Sequence, residues 1–360
     1  MKTVLVFGAS GLVGTAAANS FSKAGWRVIT CSRSRPSLLT RKSHEHLFLD
    51  ITDKARCLEV LTSLDGDVSH VVYAAVQELP GLIPGWSDPE QIALNGKMLE
   101  NVIAPLLSKN SLEHVTLLQG TKAYGGSVAP IRVPARESQA RVDHPNFYWL
   151  HEDYLKRVSA EYGFSYTVFR PQLIVGPNHG VVMNLPPIVG VYAAMRKKEG
   201  LPFSFPGGAD WVWEAVDVRL VGDACLWAAE TDSANGEIFN LTNGEVFSWR
   251  DMWPALAETL SVEMGPEESL SLANYLPERA SMWTEIVREH GLAEQSLDQV
   301  LGESHHYADL CFGYGLPTSP PPTFLSTIKI KQAGFTQTYD SEASFCYWLR
   351  DLQKRKVIPC

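Results

Sequence analysis

The feature that most constrains this chain is its opening. An apolar run, Thr3 to Phe7, passes directly into Gly8-Ala9-Ser10-Gly11-Leu12-Val13-Gly14 and then into an alanine-rich stretch containing Ala16, Ala17 and Ala18. A buried strand, a tight turn and a helix are the reading of that order. Gly8 and Gly11 let the backbone double back and approach a pyrophosphate, while the new helix offers free N–H donors and a partial positive charge. Ser10, Leu12 and Val13 ride on the same turn, and Gly14 permits close packing of helix on strand.

Strand-like runs recur at Arg27 to Cys31, His46 to Leu49, His70 to Ala74, His114 to Leu118 and Tyr166 to Phe169, separated by helix-length segments. That alternation predicts an α/β fold, a doubly wound parallel Rossmann sheet. A further strand, Glu237 to Leu241, returns after an insertion rich in Pro and Gly, Leu185 to Gly208. From Glu245 onward amphipathic helices dominate, including Trp249 to Leu260, Trp283 to Glu289 and Phe345 to Leu352, with a Pro-rich loop at Leu316 to Pro322. Residues 1–180 and 212–243 are therefore expected to form the dinucleotide-binding domain. Residues 181–211 and 244–360 are expected to form a smaller, mainly helical substrate cap. The 360-residue length accommodates both.

The end of the second strand selects between nicotinamide cofactors, because an acid there would bond an unphosphorylated ribose. Here stand Cys31-Ser32-Arg33. A hydroxyl and a guanidinium suit a 2′-phosphate, so the expected cofactor is NADPH/NADP+, with Arg35 a weaker second cation. The bland alternative for Arg33 is a solvated loop arginine. Asp50 and Ile51, after the third strand, fall where such folds hold the adenine, and Ala74 ends the fourth strand beside the cofactor path. Both positions are equally compatible with ordinary turn and packing residues. Gly120, Tyr148 and Ile174 complete the expected cofactor contacts.

A formal charge of −9 disfavours binding to nucleic acid or anionic lipid. Val4 to Phe7 is too short for a signal-peptide core, and no stretch approaches a membrane span. The six cysteines show no CxxC pair, so neither a disulfide framework nor zinc is expected. His305-His306 has no third ligand nearby, and no metal is assigned. The expectation is a cytoplasmic protein acting on a small molecule as a monomer or homodimer.

Short-chain dehydrogenases carry Tyr-x-x-x-Lys on one helix and a Ser or Thr near the end of the fifth strand. Tyr148 is the matching tyrosine, but Glu152 stands where the lysine belongs and Gly120 where the hydroxyl belongs. The missing cation must come from elsewhere, and Lys122 follows the fifth strand on its carboxyl side. Three runs carry a closer resemblance: Leu117-Leu118-Gln119-Gly120-Thr121-Lys122-Ala123-Tyr124-Gly125, Asn146-Phe147-Tyr148-Trp149 with Glu152-Asp153, and Phe169-Arg170-Pro171 with Gly176-Pro177. Together with Met183-Asn184, Asn240 to Gly244, Trp283 to Val287 and Lys356 to Pro359, they make the chain similar to the progesterone 5β-reductase/iridoid synthase-like family of extended short-chain dehydrogenases. The resemblance covers essentially the whole chain.

It implies NADPH-dependent reduction of an activated C=C bond, an enone or enal, in a small hydrophobic carbonyl-containing substrate, with Tyr148 and Lys122 as the catalytic pair. Hydride arriving at the β-carbon pushes charge onto the carbonyl oxygen; Tyr148 can donate to it, while Lys122 stabilises the charge and lowers the tyrosine pKa. The chain departs from plant members in Gly-Ala-Ser-Gly for Gly-Val-Thr-Gly, Ala123 for His and Trp149 for Tyr, so plant substrates do not transfer. Ala123 is expected to open space near the carbonyl. Trp211, Trp213 and Trp283 are either pocket aromatics or cap core. Two other chemistries suit the fold: reduction of an aldehyde or ketone, and non-redox isomerisation or cyclisation.

Overall fold

The computed structural model describes residues 2–40, 44–293 and 296–360. Its strands are β1 (Thr3–Phe7), β2 (Arg27–Ser32), β3 (Glu45–Phe48), β4 (His70–Tyr73), β5 (His114–Leu118), β6 (Ser165–Pro171), β7 (Leu173–Val175), β8 (Val212–Trp213), β9 (Ala215–Asp217), β10 (Glu237–Leu241) and β11 (Phe247–Ser248). Seven of them form one sheet in the order β10-β6-β5-β4-β1-β2-β3. Every pairing in it is parallel, with Val6 opposite Thr30 on one side and Val72 on the other. Strand order reverses between β1 and β4, so a crevice opens at the carboxyl ends there, where such sheets bind ligands.

β1 shows why both faces are covered. Its residues are all buried; Val4 and Val6 join one apolar cluster, Leu5 and Phe7 another. A period of two sends neighbours to opposite faces, and a strand apolar at every position needs helices on both. On one face α1 (Leu12–Lys23) packs with a helix from Val218 to Glu230; on the other lie α2 (Lys54–Thr62), α3 (Pro89–Leu107) and α4 (Phe147–Tyr162).

The segment Leu185 to Gly208, expected as a Pro- and Gly-rich insertion, instead begins with a helix, α5 (Leu185–Glu199), buried along almost its whole length. Pro186 and Pro187 sit in its first turn, where no N–H is required, so the prolines start the helix and do not interrupt it. The remaining helices are α6 (Val218–Glu230), α7 (Trp249–Leu260), α8 (Leu272–Tyr275), α9 (Ala280–His290), α10 (Leu297–Leu301), α11 (Ser304–Cys311), α12 (Ile328–Gln332) and α13 (Ser341–Lys354). α5, α7, α9 and α13 share an apolar cluster around Trp249, Trp253 and Trp283. Two short parallel strands, β7 and β9, link this part to the sheet through the pair Ile174 and Val216. Among the described residues no helix is long and apolar enough to cross a membrane.

Candidate active site

A cavity of about 490 Å³ occupies the crevice at the carboxyl ends of the strands. Gly8, Ser10, Gly11, Leu12 and Val13 form one wall. Gly8 has φ +76°, and a Cβ there would lie 2.7 Å from the Ala74 carbonyl oxygen, so the turn and β4 approach as closely as only glycine allows. α1 opens at Gly11 with no side-chain cap and no acid in its first turn. Its first N–H groups and the positive end of its dipole are thus left for an anion. Gly14 is not on the cavity wall: a Cβ there would collide with the Gly8 carbonyl, and its part is to seat helix against turn.

Ser32, Arg33, Asp50, Ile51 and Ala74 line the same end. The Ser32 hydroxyl donates to the Ser34 carbonyl at 2.7 Å, leaving Arg33 as the cation there. Its Nη1 lies 3.5 Å from Gln77 Oε1. Arg35 lies over the Phe48 ring, outside the wall. Asp50 accepts from the Thr52 N–H and hydroxyl at 3.0 and 2.8 Å. Those bonds, aided by Arg33, hold its carboxyl below the usual range. An uncapped helix start, a glycine turn and an arginine on the wall fit a dinucleotide with its pyrophosphate over Gly11 to Val13.

At the other end, Asn146 caps α4 by accepting from the Tyr148 N–H at 3.1 Å, which fixes Tyr148 in the first helical turn. Tyr148 is buried, lines the cavity, and its hydroxyl has no hydrogen-bond partner among the described residues. A Cβ on Gly120 would stand 3.2 Å from that hydroxyl, so a Ser or Thr at 120 would crowd it. Burial, and then the negative charge of Glu78, raise the Tyr148 pKa far above its ordinary value; Arg170 opposes them without prevailing.

This corrects the expectation that Lys122 lowers it. The Lys122 ammonium lies 3.8 Å from the Trp86 ring centroid and 3.9 Å from Glu78 Oε1. Burial brings it down to about 8, with Glu78 opposing. Glu78 is itself enclosed, accepts from Gln91 Nε2 at 2.8 Å, and is pushed up by burial against the pull of Lys122.

Glu152, in the place of the usual lysine, bonds Arg170 Nη2 at 2.9 Å and Arg141 Nη2 at 2.8 Å. Arg170 Nε reaches Gln119 Oε1 at 3.2 Å, and Gln119 Nε2 donates to the Tyr148 carbonyl. The cation that acts on Tyr148 is therefore Arg170, which enters the sequence reading only within the Phe169-Arg170-Pro171 run. An acid at position 152 facing a buried arginine was the available signal. Ala123 and Trp149 do not open onto the cavity: Ala123 packs behind Phe147 and Tyr148, and Trp149 lies under Arg141. Both face away because they neighbour the wall residues on tight helical turns.

Ile174 and Trp213 are on the wall; Trp211 stacks behind Trp213, and Trp283 is fully buried in the cap core. Tyr307 and Leu310 of α11, Gln77 and Trp86 also line the cavity and were not foreseen. His306 lies 3.6 Å from Glu303, and no metal-binding cluster occurs among the described residues.

A model of the NAD dependent epimerase/dehydratase family matches residues 4–242. An (S)-8-oxocitronellyl enol synthase of Nepeta cataria is 31% identical over 99% of this chain and 93% of its own. A namesake from Catharanthus roseus is 28% identical over 99% and 92%. Among solved structures, UDP-glucose 4-epimerase of Thermotoga maritima superposes with a TM-score of 0.68 at 18% identity, covering 98% of this chain and 99% of that one. The Bordetella bronchiseptica enzyme WbmH in complex with NAD+ gives 0.64 at 18%, with the same coverage. These two likenesses speak for the fold.

Proposed function

The chain belongs to the NAD dependent epimerase/dehydratase family, in its progesterone 5β-reductase/iridoid synthase-like branch, and from that premise we propose that it reduces an activated C=C bond of a small hydrophobic enone or enal with NADPH. Residues 1–180 and 212–243 carry the cofactor in this reading, and 181–211 and 244–360 cover the substrate.

The observation that carries it is a protonated phenol with no hydrogen-bond partner among the described residues, Tyr148, in a cavity that ends in the glycine turn. Gly8 to Val13 would hold the pyrophosphate, Arg33 the 2′-phosphate, and Ile174 and Gly120 the nicotinamide side. NADPH held there would supply a hydride to the β-carbon, with the C=C pair shifting to the α-carbon–carbonyl bond and the C=O pair to the oxygen. Tyr148 donates its O–H to that oxygen, an interaction stronger in the transition state than before it. Lys122 adds positive charge to the same cavity. The α-carbon takes its proton from water, so the oxygen needs a hydrogen bond and no relay. That is why Glu152 can stand where a lysine usually works and Gly120 where a hydroxyl does. The relatives are named as enol synthases, and an enol is what conjugate hydride addition to an enal yields.

The test is NADPH oxidation with product analysis, using enals and cyclic enones beside saturated aldehydes and ketones. Saturated carbonyl products, lost in Tyr148→Phe, are expected. Alcohols alone would reassign the protein to carbonyl reduction. Turnover of substrate without cofactor consumption would reassign it to isomerisation or cyclisation.

A further inference from the structure

An enolate oxygen carries two lone pairs that accept strongly, and Tyr148 supplies a donor to one of them. Lys122 is a poor candidate for the other, because its ammonium is engaged by the Trp86 face and Glu78. The same cavity is lined by a second phenol, Tyr307, on α11. That helix is fixed from its first residue: the Ser304 hydroxyl donates to the Val181 carbonyl at 2.7 Å and accepts from the Asn184 N–H at 3.1 Å. Val181 and its neighbours Val182 and Met183 are themselves cavity wall. Tyr307 follows Ser304 by one helical turn and so shares its face. Glu303, just ahead of the helix, accepts from the Gly81 N–H at 2.9 Å, tying α11 to the loop that carries Glu78 and Trp86.

We propose that Tyr307 is a second donor to the carbonyl oxygen, so that the oxyanion is held between two neutral phenols, one from the sheet helix α4 and one from the cap helix α11. This rests on the reading of the cavity as an enone or enal site. Three facts support it. Tyr307 and Tyr148 border one cavity. Burial above all, then the Cys311 thiol, keeps the Tyr307 hydroxyl protonated, and charge on Tyr148 would raise its pKa further. Among the described residues the side chain that engages the Tyr307 hydroxyl is that thiol, a weak partner that a carbonyl oxygen would outcompete. Two phenols that cannot ionise together are matched to a ligand oxygen that brings the negative charge itself. The site is then complete only with the cap in place, which couples catalysis to the closure of the cavity from water.

The experiment uses NADP+-loaded full-length protein and 4-nitrophenol, whose phenolate is visible by absorbance and mimics an enolate oxygen. Its ionisation when bound is compared in wild type, Tyr148→Phe and Tyr307→Phe, with thermal unfolding of each to show that the phenyl ring keeps the packing. Tyr307→Phe is expected to reduce the ionisation constant of the bound probe by about tenfold, the scale of one hydrogen bond to a charged group. It is also expected to lower kcat for enone reduction while KM stays within about twofold. An unchanged ionisation constant in Tyr307→Phe alongside a shifted one in Tyr148→Phe overturns the proposal and leaves the enone reading standing. Wild type that does not favour the phenolate overturns it as well. Absence of enone reduction with a Tyr307-dependent shift in the probe would refute the reaction while retaining the two-donor site.

Discussion

At one end of the cavity the wall is Gly8, Ser10, Gly11, Leu12 and Val13 of a single turn, whereas at the other it is made of Lys122, Tyr148, Trp213 and Tyr307, residues from elements far apart in the chain. The first end is local: one strand, one turn and one helix, with its chemistry in unpaired N–H groups that any residue supplies. The second end is tertiary: a phenol placed by the Asn146 cap, an ammonium between Trp86 and Glu78, the Trp213 indole from β8 and a phenol from α11. A backbone site tolerates side-chain truncation and is destroyed by adding atoms. A side-chain site behaves in the opposite way.

The sharpest break between the ends should come from Tyr148→Phe. Loss of one oxyanion donor is worth about 10²–10³ in kcat, with KM little changed, as steady-state kinetics on an enone would show. Ser10→Ala or Leu12→Ala should leave NADPH affinity within about twofold, since the phosphate donors are backbone groups. A loss from either as large as that of Tyr148→Phe would erase the distinction.

Next in size is Gly14→Val. Its Cβ meets Gly8 and Ala9 backbone that cannot give way, so urea unfolding should show a loss of about 1–3 kcal/mol. Displacement of the turn should weaken NADPH roughly tenfold in the same protein, about 1.4 kcal/mol. Arg33→Ala tests the one side chain on which the cofactor end depends: titration should show NADPH weakened about tenfold, the lower range for a charge-assisted hydrogen bond at an exposed site, while NADH is unaffected.

The smallest effect concerns Lys122, whose ammonium loses its proton at about 8 in the folded chain against an ordinary 10.5. Between those values the unfolded chain binds a proton that the folded chain lacks, so this group makes stability rise with pH across that window. kcat/KM should fall as pH passes about 8, where the positive charge leaves the cavity. In Lys122→Met both the stability slope and the alkaline limb should vanish, leaving a lower, flat profile. Since Glu78 holds the ammonium protonated, Glu78→Gln should move the limb to lower pH.

Much of the fold was legible because its signals are periodic and local. Thr3–Phe7, His114–Leu118, Glu237–Leu241 and Trp249–Leu260 carry the same bounds in sequence and structure. α5 was missed because Pro186, Pro187 and Gly190 read as loop residues, while its apolar surface on all sides made sense only once the cap enclosed it. In the site, Tyr148 and Lys122 were found by motif, and the structure places both on the cavity wall. Their surroundings, Glu78 and Trp86 beside Lys122, were not, because no spacing rule links position 78 or 86 to position 122.

The sequence by itself determined the parallel sheet, the glycine turn after β1, the arginine at the end of β2 and the choice of candidate acid. Those depend on residues adjacent in the chain, where sterics and hydrogen bonding act over one turn. Only the tertiary structure decided that Tyr148 is held neutral, that Glu152 binds Arg170, that Ala123 faces the core, and that a tyrosine from α11 borders the same cavity as Tyr148. Desolvation and Coulomb interactions depend on distance through space, and the chain order of the groups involved does not record it.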